Sequence, residues 1–89
     1  MSVLLNEAYE KGYNLNYSER PYEVQLWLSK THKIDVLVSM SQFSRTYGYR
    51  IYFIEEGVTK VINHFFDKEL DYETALEKGL LKALKLIKV

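Results

Sequence analysis

The last nineteen residues, 71–89, constrain the fold most strongly, because no other segment has so clear a helical pattern. Apolar residues recur there at steps of three and four, which places them on one broad stripe of an α-helix. The residues of this stripe are Tyr72, Ala75, Leu76, Gly79, Leu80, Ala83, Leu84 and Ile87. Asp71 is the expected N-cap, and acidic residues precede lysines along the segment, so the charges run with the helix dipole. Such a stripe must be buried against another layer of structure.

Two residues of the closing helix depart from the stripe pattern. A glycine in a helix interior costs up to about 1 kcal/mol relative to alanine, so Gly79 is interpreted as a point of close backbone packing. Leu81 points away from the stripe. We interpret it either as a lone exposed leucine or as part of a contact surface.

The first third of the chain predicts two helices separated by a loop. Residues 3–11 have apolar residues clustered on one side, Ser2 precedes them as a cap, and Gly12 is placed to end the helix. Residues 13–20 have no sustained period and are predicted to be a loop that displays two tyrosines. Residues 22–28 fit both a helix and a strand. Because Pro21 suits a first helical turn, we favour the helix.

The middle of the chain predicts a three-stranded meander. Residues 34–40 alternate in polarity as a half-buried strand does, with Leu37 as the exception, and residues 42–48 form a turn. In the second strand, one face carries Tyr49, Ile51 and Phe53 and the other carries Arg50, Tyr52 and Ile54. Residues 55–57 provide a tight turn in which glycine takes a positive φ. Residues 58–66 fit a helix or a strand, and their β-branched content after this turn favours a third strand.

The predicted fold is therefore α+β, with a three-stranded antiparallel meander packed against helices in the order α-α-β-β-β-α. Residues 1–89 are expected to form one domain, in which a helix and loop at 1–20 extend an α-β-β-β-α core at 21–89. A chain of 89 residues is close to the size that buries about 60% of its unfolded surface. Dimerisation would add to a modest stability.

Composition narrows the classes of partner. Twelve basic residues balance twelve acidic ones, which removes the simplest electrostatic argument for a nucleic-acid or membrane-surface partner. The chain has no cysteine, no signal-peptide pattern at its start and no apolar run of about 18 residues. We expect a cytoplasmic protein that does not enter a membrane.

Catalytic and metal-binding signatures are missing from the sequence. It contains no GxGxxG, P-loop or HExxH motif, and its histidines, His32 and His64, are two ligands short of a four-ligand zinc site. His32 with Asp35 would make an oriented pair, but a histidine that interacts with the last carbonyls of a helix is far more common. The sequence predicts a protein without enzymatic activity, metal or cofactor.

Exposed aromatic and apolar residues favour a protein contact. Tyr52 and Ile54 on the outer sheet face, Tyr13 and Tyr17 in the loop, and Leu81 leave more apolar surface than a small monomer exposes. A homodimer would cover some of it. The candidate interaction residues are Tyr47, Tyr49, Tyr52, Ile54, Leu81, Arg45 and Arg50.

Nucleic-acid binding is the alternative. Tyr47, Tyr49 and Tyr52 beside Arg45 and Arg50 would stack single-stranded bases next to phosphate contacts. Cross-strand aromatic pairing explains the same residues more simply. The α-β-β-β-α order also occurs in double-stranded-RNA-binding domains, which as a family place lysines at the start of the last helix. Here the acidic residues of that helix would repel phosphate; they are Asp71, Glu73 and Glu77.

Two motifs resemble a group of small uncharacterised proteins of gut-type bacteria, their phages and mobile elements. The first, WLxxxHxI, is matched by Trp27, Leu28, His32 and Ile34. The second, YExALxxGL, is matched by Tyr72, Glu73, Ala75, Leu76, Gly79 and Leu80. The resemblance implies a helix before the meander, a strand at 58–66 and an accessory protein of a phage or mobile element. It leaves residues 1–20 unmatched and implies no activity.

Overall fold

The order of elements in the computed structural model is α-α-β-β-β-α, and the structure describes residues 3–14, 16–17, 19–40, 46–65 and 71–87. The helices are α1 Val3–Glu10, α2 Pro21–Trp27, which continues as the π-helical turn Leu28–His32, and α3 Tyr72–Leu84. The strands are β1 Asp35–Met40, β2 Tyr47–Glu55 and β3 Val58–Phe65. They form one antiparallel sheet in the order β1-β2-β3. The predicted α+β fold is confirmed.

Helix α3 begins where the sequence predicts. The Thr74 N–H donates to Asp71 Oδ1 at 2.7 Å, and this bond together with the Thr74 hydroxyl holds the pKa of the Asp71 carboxyl below its usual value. The helix ends at Leu84, earlier than the predicted stripe, although Ile87 beyond it is still buried. Tyr72 is the one stripe residue that is exposed, and its ring lies edge-on to that of Tyr47.

The inner face of the sheet packs on α3 at its glycine. A Cβ atom on Gly79 would lie 3.0 Å from Tyr49 Cβ and Cγ and from Val36 Cγ1, so the predicted close packing is confirmed. Leu81 is not a lone exposed leucine, because it is half-buried and packs against the core. Helices α1 and α2 pack on α3 in turn, which places the core between the helices and one side of the sheet.

The ambiguous segment after Pro21 is helical, as predicted. The turn that follows α2 ends at Lys33, which adopts a left-handed φ of 57°, and the Ile34 N–H donates back to the Leu28 carbonyl oxygen at 3.1 Å. The Gln25 side-chain amide donates to the Val36 carbonyl oxygen at 2.5 Å. Helix α2 therefore satisfies part of the outer edge of β1.

The second ambiguous segment is a strand, also as predicted. A two-residue turn joins β2 to β3, with φ of 53° at Glu56 and 79° at Gly57. Two positive φ angles in a two-residue hairpin loop define a type I′ turn. The expected positive φ of Gly57 is confirmed, and Glu56 shares it.

Three details of the prediction are wrong. Tyr13 is buried, not displayed, because Gly12 turns the chain at a φ of 106° and the Tyr13 N–H donates to the Ala8 carbonyl oxygen. Met40 is exposed although its alternation predicted an inward side chain. Strand β2 begins at Tyr47, inside the predicted turn. The cap predicted at Ser2 and the rest of the predicted turn, except Thr46, lie outside the described residues.

Candidate interaction surface

One face of the sheet is not covered by α3. Antiparallel pairing places Asp35, Tyr52 and Val61 in one row across the strands and Leu37, Arg50 and Asn63 in the next. We call this the outer face, and its side chains are Asp35, Leu37, Ser39, Arg50, Tyr52, Ile54, Thr59, Val61 and Asn63. All of them are exposed except Tyr52, which is half-buried. The core packs on the opposite side of the same strands.

The outer face combines exposed apolar side chains with polar ones. Leu37, Ile54 and Val61 are 51%, 61% and 44% exposed, which is high for large apolar side chains. At the centre, Arg50 Nε donates to Asn63 Oδ1 at 2.7 Å. This bond holds the guanidinium across β2 and β3, so its aliphatic stem adds to the apolar surface.

Strand β3 is an open edge of the sheet within the part of the chain that the structure describes. A two-residue loop closes on a hydrogen-bonded pair, here Glu55 with Val58, and such pairs alternate with non-bonded ones along an antiparallel ladder. The intervening residues of β3 therefore direct their backbone N–H and C=O groups away from β2. They are Thr59, Val61 and Asn63.

The same alternation in β1 turns the Val36 carbonyl away from β2, and the Gln25 amide donates to it there. The two edges of the sheet thus differ. Helix α2 partly satisfies the β1 edge, whereas the β3 edge presents groups that an added strand can bond.

The structure divides the interaction residues predicted from sequence. Arg50, Tyr52 and Ile54 lie together on the outer face. Tyr49 belongs to the inner face, where burial raises the pKa of its hydroxyl and its ring stacks on His64 at a centroid distance of 5.3 Å. Tyr47, also on the inner side, contacts Tyr72. Leu81 lies on α3, half-buried against the core, and Arg45 is outside the described residues.

The positions of these residues affect the hypothesis that tyrosines stack on single-stranded bases. Of the three tyrosines that would have stacked single-stranded bases, only Tyr52 shares a face with Arg50.

The residues that sequence reasoning missed are Leu37, Val61 and Asn63. Leu37 already stood out as the apolar exception in β1, whereas the positions of Val61 and Asn63 depended on the register of β3.

Both histidines pack against aromatic rings. The His32 ring lies edge-on to Trp27 at 4.8 Å, and His64 stacks on Tyr49. Within the described ranges, no cluster of three or more histidine and carboxylate residues is arranged to hold a metal ion. Among those same residues, no helix is long and apolar enough to cross a membrane.

The fold and this surface define a small α+β domain in which, among the described residues, one sheet face and the β3 edge are open. No protein-family model, curated protein or solved structure matches the chain.

Proposed function

We propose that this protein is a non-catalytic interaction module whose contact surface is the outer face together with the β3 edge. The observation that supports this function is the exposed apolar group formed by Leu37, Ile54 and Val61 beside backbone groups free to bond another strand. Large apolar side chains exposed on one face are typical of protein contacts. At the edge, the partner that we propose is a second copy of the chain, and this pairing leaves the outer face of both copies open to a further partner.

A two-fold axis perpendicular to the sheet would join two β3 strands and keep both outer faces on the same side. In the register that we propose, Val61 faces Val61 of the second copy, and Thr59 faces Asn63. All three residues direct their backbone groups to this edge, so each facing pair exchanges two hydrogen bonds. The row formed by Tyr52 and Val61 would then continue into the same row of the second copy.

Charge does not oppose this register. On the inner side of β3, Lys60 would face Ile62 of the second copy, and Val58 would face His64. Lys60 Nζ already forms a salt bridge with Glu55 Oε1 at 3.2 Å. No two like charges are placed directly opposite each other, an arrangement that would destabilise the strand pair.

Sedimentation equilibrium tests the dimer. We expect the intact protein to have twice its chain mass of 10.6 kDa. Val61→Lys should return it to the monomer mass, because two ammonium groups would then meet on the two-fold axis. Leu37→Lys is the matched control: Leu37 is similarly exposed but lies on β1, so the dimer should persist. A monomeric wild-type protein, or a dimeric Val61→Lys variant with an unchanged circular dichroism spectrum, contradicts this pairing.

Single-stranded nucleic acid remains the alternative occupant of the outer face, through Tyr52 and Arg50. A fluorescence titration with single-stranded oligonucleotides at two salt concentrations distinguishes it, since phosphate contacts weaken as salt rises. We expect no salt-sensitive binding, because the chain has no net charge. Salt-sensitive binding that Arg50→Gln abolishes would assign the surface to nucleic acid instead.

The biological setting that we propose is the cytoplasm of a bacterium, as an accessory protein of a phage or mobile element. This part rests on the resemblance of the WLxxxHxI and YExALxxGL motifs. A pull-down from such a host, with Val61→Lys and Leu37→Lys as paired baits, would test whether partners other than a second copy use the same surface.

A further inference from the structure

A surface cleft of about 480 Å³ lies between the loop after α1 and helix α2. Its walls include three aromatic rings, those of Tyr13, Tyr17 and Trp27, and two residues of opposite charge, Glu23 and Lys30. None of these residues belongs to the outer face or to the β3 edge. The cleft is therefore a feature separate from the proposed protein contact.

The aromatic walls meet at steep angles. The Tyr13 ring lies 5.2 Å from that of Tyr17 with an interplanar angle of 68°, and 5.4 Å from that of Trp27 at 71°. Tyr13 is buried while Tyr17 is 50% exposed. Because Tyr13 is buried, the ring surface open to a ligand is mainly that of Tyr17 and Trp27, and Tyr13 contacts both of these rings.

Further rings hold these walls in place. Tyr9 stacks on Tyr13 at 6.1 Å and 22°, and His32 lies edge-on to Trp27 at 4.8 Å. Tyr13 is additionally anchored by its backbone bond to the Ala8 carbonyl oxygen. The rings are thus positioned before a ligand arrives, which lowers the entropy cost of binding.

Glu23 brings a negative charge close to the rings. The Glu23 carboxylate is close enough to Tyr13 that, after burial, it is the next cause of the raised pKa of that hydroxyl. Among the described residues, Glu23 has no side-chain hydrogen bond or salt bridge, although the Arg20 guanidinium is near enough for the carboxylate to raise its pKa. Lys30 carries the opposite charge to Glu23. It lies seven residues further along, which corresponds to two helical turns or about 10 Å.

We propose that this cleft binds a quaternary ammonium group. Such a group cannot donate hydrogen bonds, so aromatic faces, which attract cations through their quadrupole, are the surface that recognises it. The carboxylate of Glu23 supplies the counter-charge at the rim. Lys30 disfavours a simple cation and would be neutralised by an anionic group elsewhere on a larger ligand.

Trp27 is the only tryptophan in the chain and lines the cleft, so its fluorescence reports occupancy directly. The probes are choline and its neutral isostere 3,3-dimethylbutanol, which differ in the charge at the branched centre. We expect choline to quench or shift the Trp27 fluorescence in a saturable way. The isostere should bind about tenfold more weakly. Equal responses to the two probes, or no saturable response to choline, would overturn the proposal.

Variants separate this site from a general aromatic effect. Tyr17→Leu and Glu23→Gln should each weaken choline binding about five- to tenfold, whereas Lys30→Gln should strengthen it. Tyr22→Leu is the matched control, because Tyr22 is a similarly exposed tyrosine on α2 that does not line the cleft. If Tyr17→Leu and Tyr22→Leu bind choline equally well, the aromatic cleft is not its site.

Discussion

At the residue scale, Gly79 is the described glycine that is packed most closely, and it lies against the sheet. Replacing Gly79 by alanine improves the helix propensity of this position by about 1 kcal/mol. The added Cβ atom would, however, lie 3.0 Å from side-chain atoms of Tyr49 and Val36. Overpacking of this kind typically costs about 1–3 kcal/mol. The packing term is the larger of the two, so we expect a side chain at this position to destabilise the fold.

Gly79→Leu should therefore lower the free energy of unfolding by about 3 kcal/mol, the upper end of the range for overpacking, and Gly79→Ala by a smaller amount. Urea denaturation followed by circular dichroism measures both. Glu77→Ala, on the exposed side of the same helix, is the control and should change stability little. An unchanged midpoint for Gly79→Leu would contradict the close packing of α3 on the sheet.

Two buried tyrosines give a pH dependence. Burial raises the pKa of the hydroxyls of Tyr13 and Tyr49 above 10.0, so the folded state favours their protonated form. Their contribution to stability is complete below the unfolded pKa of 10.0 and is lost as pH rises through the higher folded values. We expect the urea midpoint to fall steeply in this alkaline range, and to fall less steeply in the Tyr13→Phe, Tyr49→Phe double variant. Equal alkaline slopes would show that other groups control the transition.

At the element scale, the β2–β3 hairpin carries a local strain. Glu56 adopts a φ of 53°, where a side chain costs roughly 1–2 kcal/mol and asparagine is tolerated better than glutamate. Glu56→Asn should raise the free energy of unfolding by up to about 1 kcal/mol. Glu56→Gln removes the charge but keeps the strain, and should leave the melting temperature unchanged. A matching rise in both variants would point to charge instead of backbone geometry.

At the scale of the whole molecule, the two sheet edges should behave differently in hydrogen exchange. If two β3 strands pair, the amides of Thr59, Val61 and Asn63 become protected as the protein concentration rises. The Val38 amide faces the opposite edge, along β1, so its exchange should not depend on concentration. Concentration-independent exchange at all four amides would contradict pairing through β3 even if the protein were dimeric.

Local chemistry predicted much of the fold. The stripe and the N-cap of α3, the glycine that ends α1 and the turn at Gly57 all depend on residues a few positions apart, and each is found where the sequence placed it. For the two segments with competing periods, at 22–28 and 58–66, a neighbouring signal predicts the element that their described residues form. The signal is a proline before the first segment and a tight turn before the second. The sequence by itself therefore determined which elements form and in what order.

Tertiary structure decided which side chains are exposed to solvent. Whether Tyr13 is displayed or buried depends on how the chain turns back after Gly12 onto the core. Leu81 is half-buried because the core reaches around the side of α3. The outer face brings Leu37, Arg50 and Asn63 into one row, although each is thirteen residues from the next. Periodicity specifies the two faces of an element, but only the packing of distant elements specifies which of those faces meets water.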